Sequence, residues 1–126
     1  MKFEKEKNEE NINVVSYDKN VVHSIISLAT KEIGGIASLN AGISFVKRMF
    51  GRNKYFKGIS LEYDKSRIFI DVYVNVYFGY SVNDVAYKVQ ENIKRSVESM
   101  TDFKVDSVSV HVAGVVFDEE QEAAVI

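Results

Sequence analysis

With 126 residues, 46% hydrophobic and 27% charged, the chain has the size of one domain in the usual range of ~100–200 residues and an apolar content that supports folding. A two-domain enzyme is not expected. Sixteen Lys and Arg against eighteen Asp and Glu leave a net charge of −2, so binding to nucleic acid or anionic lipid would need a local patch. The absence of cysteine excludes disulfides, thiolate metal sites and cysteine nucleophiles.

Residues 1–11 read as a disordered charged tail: Phe3 is the only large apolar side chain from residue 2 onward, too little to offset the entropy of ordering. Residues 12–117 form the single folded domain, and residues 118–126, opening with Asp118-Glu119-Glu120-Gln121-Glu122, form an acidic C-terminal tail. Charges occupy the place of a signal peptide's apolar core, and no stretch approaches the ~18 apolar residues of a membrane span. The expected location is therefore cytoplasmic.

Asn13-Val14-Val15-Ser16 predicts a short strand, and Asp18 stands where a helix N-cap belongs. Val21, Val22, Ile25, Ile26, Leu28, Ala29 and Ile33 follow at helical spacing, and Gly34-Gly35 ends the helix. Residues 36–57 are irregular by pattern. Ile59, Leu61 and Tyr63 then alternate with polar residues, and Asp64-Lys65-Ser66-Arg67 turns the chain into a long run from Ile68 to Phe78, so a hairpin is expected. In that run Ile68, Ile70, Val72, Val74, Val76 and Phe78 point one way, and Phe69, Asp71, Tyr73, Asn75 and Tyr77 the other. Ser81-x-x-Asp84 resembles a capping box before Val85, Ala86, Val89, Ile93, Val97 and Met100, which predicts a second helix. From Val105 to Val116 alternation returns, with Asp106, Val108, Val110, Val112 and Gly114 on one side and Ser107, Ser109, His111 and Ala113 on the other. The order strand, helix, strand, strand, helix, strand fits an α+β two-layer sandwich, with two helices packed on one face of a small, mainly antiparallel sheet.

Common enzyme signatures are missing: G-x-G-x-x-G, the P-loop, G-x-S-x-G and H-E-x-x-H. His23 and His111 would serve a metal or acid–base role only if the fold brought them together with a carboxylate. No catalytic, metal or cofactor site is expected. Lys47, Arg48, Arg52, Lys54 and Lys57, interleaved with Phe45, Phe50, Tyr55 and Phe56, form a basic loop; structural or protein contact is favoured there over nucleic acid. Phe69, Tyr73 and Tyr77 are more informative. Four residues apart on one strand, they share a sheet face where a solvated surface would carry Lys, Glu and Thr. Either another part of the chain covers them or they form a protein–protein interface. A long β-rich edge offers a second route to self-association.

The segment from Val21 ending in E-I-G-G-I (Glu32 to Ile36), K-G-I (Lys57 to Ile59), F-G-Y (Phe78 to Tyr80), V-A-Y-K-V-Q (Val85 to Gln90) and V-S-V-H-V-A-G-V (Val108 to Val115) resemble, in order and spacing, the bacterial alkaline-shock or general stress protein family. The resemblance covers residues 12–117. Thr101-Asp102-Phe103 departs from the family's usual Thr-Gly at that turn. The resemblance implies a non-enzymatic cytoplasmic protein of stress response and cell-envelope homeostasis. Such a protein works as a homo-oligomeric scaffold and, in some members, is held at the membrane by an anchored partner protein. It implies no catalytic residues. The alternative is an RNA-binding module, or a regulator of fatty-acid synthesis, using the loop 47–57.

Overall fold

The computed structural model describes residues 19–40, 55–56 and 58–117. The first helix, α1 (Lys19–Lys31), turns Val22, Ile26 and Ala29 inward at spacings of four and three. The second, α2 (Val82–Met100), buries Val85, Val89, Ile93 and Val97. The expected cap is present: the Ser81 hydroxyl accepts the Asp84 N–H at 3.4 Å. At the other end the Thr101 N–H and hydroxyl both donate to the Val97 carbonyl, at 2.9 and 2.7 Å, and close the last turn. Asn92 ties the helices together, donating from Nδ2 to the Ala29 carbonyl and to Glu32 Oε1, each at 2.8 Å.

α1 and α2 both lie on one side of a sheet that, among the described residues, has five strands: β1 (Ile36–Leu39), β2 (Tyr55–Phe56), β3 (Ile59–Asp64), β4 (Arg67–Tyr77) and β5 (Lys104–Val116). β4 is central. β5 runs parallel along one of its edges over its whole length, with α2 as the crossover that parallel neighbours require. The other edge is shared, β3 pairing antiparallel with residues 67–72 and β1 with residues 74–76; β2 lies beyond β3. The seam between β1 and β3 falls at Tyr73, whose N–H donates to the Gly58 carbonyl at 2.8 Å and whose carbonyl accepts the Asn40 N–H at 2.7 Å. Gly58 sits at φ +85°, and a Cβ there would stand 3.1 Å from the Asn40 nitrogen and the Tyr73 oxygen, so a side chain at this position would strain the seam.

Ile68, Ile70, Val72, Val74 and Val76 are buried against the helices, with Ile59 and Leu61 from β3. Tyr63 lies at the rim of this layer, 5.2 Å from the Phe103 ring, and burial pushes its phenol pKa up. The turn expected at residues 64–67 is a tight hairpin, with Asp64 opposite Arg67 and Lys65 at φ +59°. A left-handed lysine costs roughly 1–2 kcal/mol. Lys65→Gly is therefore expected to stabilise the domain by about 0.5–1 kcal/mol, read as a higher urea midpoint at unchanged slope.

The structure departs from the sequence expectations at three places. The segment read as irregular contains β1 and β2, whose four and two residues are too few to show a period. Phe78 does not continue the buried face: β4 ends at Tyr77, and Phe78, 52% exposed, stacks on Phe117 at 4.6 Å. β5 does not alternate evenly, because its register against β4 slips at Asp106 and again at Ala113. Gly114 therefore opposes Asn75 and shares the face of Ser107, Ser109 and His111, while Val115 opposes Val76; Asp106 swings to Arg67, 2.6 Å from its Nη1. The strand expected at residues 13–16, the N-cap Asp18 and both tails lie outside the described residues.

Candidate interaction surface

The odd-numbered residues of β4 point away from both helices, as strand alternation requires. Phe69, Tyr73 and Tyr77 stand in a row on this outer face, ~13 Å between successive positions at ~3.3 Å per residue, each half-buried. Asp71 and Asn75 fill the gaps. Parallel pairing with β5 places His111 beside Tyr73, and the two rings stack with centroids 4.5 Å apart and planes 14° from parallel. His111 Nε2 also lies 2.9 Å from Asp71 Oδ1, the two side chains 45% and 41% exposed. That exposure makes the contact an orienting one, worth at most ~1 kcal/mol, and its work is to hold the imidazole flat against the tyrosine.

Further along, Asn75 Nδ2 donates to Ser38 Oγ at 3.0 Å, and its Oδ1 accepts from Asn40 Nδ2 at 3.2 Å. The amide thus pins the strand end beside Tyr77. Ser107 and Ser109 are exposed on the β5 side. The face combines a line of aromatic rings with short polar side chains fixed to one another. Such a surface buries large area at low entropic cost and satisfies polar groups at its margin, the chemistry of a protein contact.

Among the other expected site residues, Lys47, Arg48, Arg52, Lys54 and Lys57 lie outside the described residues. His23 and His111 do not come together: one is in the helical layer and the other on the far side of the sheet. Among the described residues no group of three or more His, Asp or Glu side chains could hold a metal, and no helix is long and apolar enough to cross a membrane. The Asp71–His111–Tyr73 cluster is invisible in the sequence. His111 is 40 residues from Asp71 and 38 from Tyr73, and their meeting depends on a parallel register with a slip at Asp106 that leaves no periodic trace.

A family model for the alkaline-shock protein 23 family, described as having cell envelope-related function, matches residues 6–117. YqhY of Bacillus subtilis is 32% identical over 103 residues, covering 81% of this chain and 76% of that protein. A stress response regulator gls24 homolog of Streptococcus pyogenes is 22% identical over 111 residues, 86% of this chain and 62% of the relative. Among solved structures, a C-terminal domain of MamM aligns with a TM-score of 0.49 at 14% identity, covering 77% of this chain and 98% of that one. The family match spans the whole described fold, and the chain belongs to the alkaline-shock protein 23 family, of cell envelope-related function.

Proposed function

We propose that the protein is a non-enzymatic cytoplasmic scaffold of the cell-envelope stress response, which self-associates and docks partner proteins, a membrane-anchored one included, through the outer face of its sheet. The observation that carries this reading is the row Phe69, Tyr73 and Tyr77 on the sheet face opposite the one that α1 and α2 cover. Membership in a family of cell envelope-related function and the similarity to a relative named as a stress response regulator support the cellular setting.

The test is Tyr73→Glu combined with Tyr77→Glu. Both side chains are half-buried on the outer face, so the circular dichroism spectrum should be preserved. Charges forced into a contact between copies cost several kcal/mol, so the apparent dissociation constant from sedimentation velocity should rise roughly a hundredfold or more. Unchanged assembly in the doubly substituted chain would remove these residues from the interface.

A further inference from the structure

β5 belongs to the sheet on one side only: among the described residues its one strand neighbour is β4. The direction of its backbone groups can be followed along the strand. Lys104 donates its N–H to the Ser66 carbonyl and the Val116 carbonyl accepts from the Phe78 N–H, each at 2.8 Å, so these residues face β4. Val105 donates to Glu98 Oε2 at 2.8 Å and the Val108 carbonyl accepts from Gln90 Nε2 at 3.0 Å, so these face the outer edge. Alternation carries the outward direction from Val108 to Val110 and Val112. Two α2 side chains thus cap the first part of the edge.

From Ser107 to Val116 the strand holds only valine, serine, alanine, glycine and one histidine. None of the lysines, prolines or carboxylates that usually blunt an edge strand is present. On the helix side, Val112 and Val115 stand 38% and 55% exposed, beyond the cover that α2 gives to Val105 and Val108.

We infer that the occupant of this edge is β5 of a second copy, paired antiparallel across a twofold axis at His111. The inference deepens the scaffold reading and rests on its claim that the protein self-associates. Three observations select this partner and register. Val110 and Val112 flank His111 symmetrically, so each meets the other's equivalent and exchanges both backbone hydrogen bonds with it, four bonds in all. An axis at His111 leaves the Gln90 bond to Val108 undisturbed, whereas an axis at Val110 would pair Val108 and compete with it. Charge fixes the direction: exposed Lys104 opens the strand and the acidic run 118–122 follows its end, so antiparallel pairing sets opposite charges together and parallel pairing sets like beside like. The paired sheet also brings Val110 of one copy beside exposed Val112 of the other, on the helix side of both.

Because the natural chain has no cysteine, single cysteines report contact without background. In the full chain His111→Cys is expected to form a covalent homodimer on mild oxidation, since non-hydrogen-bonded antiparallel partners have Cα atoms ~4.5 Å apart, within disulfide reach. Ser107→Cys, on the same face but ~26 Å from its own copy in this register, should not. Adding Val112→Lys should lower the yield of His111→Cys dimer roughly tenfold or more. No dimer from His111→Cys, or equal cross-linking at positions 107 and 111, would overturn the inference. It would also be overturned if Val112→Lys left the yield unchanged in a chain with a native circular dichroism spectrum. The positional contrast between 107 and 111 decides even if Val112→Lys fails to fold. Loss of the dimer in Tyr73→Glu with Tyr77→Glu but not in Val112→Lys would leave the outer-face reading standing and remove the edge. A wild-type chain that sediments as a monomer removes both.

Discussion

Gly35→Ala should cost the domain about 2–5 kcal/mol, lowering its melting temperature by roughly 10–25 °C. Gly35 lies between α1 and β1 at φ +103°, in the half of conformational space that side chains avoid. It is also enclosed: an added Cβ would stand 2.8 Å from Val85 Cγ2 and 2.9 Å from Tyr80 Cδ2. The Gly35 carbonyl accepts the Tyr77 N–H at 2.8 Å and the Ile36 N–H donates to the Ile33 carbonyl at 3.2 Å. A shift that relieved the clash would therefore pull on the junction of helix and sheet. Gly34, where an added Cβ would meet nothing within 4 Å, is the internal control, and Gly34→Ala should change stability by less than about 1 kcal/mol. Thermal unfolding of the two variants side by side decides the matter, and equal melting temperatures would refute this account of the junction.

The second large effect is expected at Ile93. It is fully buried midway along the stripe Val85, Val89, Ile93 and Val97, by which α2 seats on the sheet. Ile93→Ala removes three carbons from a site walled by both layers, and the loss of transfer energy plus the residual cavity should total about 2–5 kcal/mol. Ile93→Val should cost only about 0.5–1.5 kcal/mol. On the other side of the same helix Tyr87 is 62% exposed, and Tyr87→Ala should stay within about 0.5 kcal/mol. Denaturant midpoints that failed to rank in this order would show that α2 does not hold the core.

Much of the fold was legible because its elements are long and their periods clean. Val85 to Val97 at four-residue intervals and the alternation from Ile68 to Val76 announce a helix and a strand with one buried face, and two striped helices with such a strand imply layers. The outer-face position of Phe69, Tyr73 and Tyr77 follows from the same alternation. What escaped was local or long-range. β1 has only four residues, and its place depends on Gly35 and on hydrogen bonds to Tyr77 and Tyr73. The slip at Ala113 reverses which side Gly114 and Val115 take, and alternation in a single strand cannot reveal a register set by its neighbour. The contact of His111 with Asp71 and Tyr73 follows from that register, and so does the outward turn of Val110 and Val112.

The central claim, that the protein acts by contact through the aromatic face of its sheet, is tested most directly by hydroxyl-radical footprinting of the intact chain across a range of concentrations. Phe69, Tyr73 and Tyr77 should become progressively protected as the protein assembles, while exposed Tyr87 on α2 keeps its reactivity. Labelling of the three rings that stays constant while the sedimentation coefficient rises would contradict the claim.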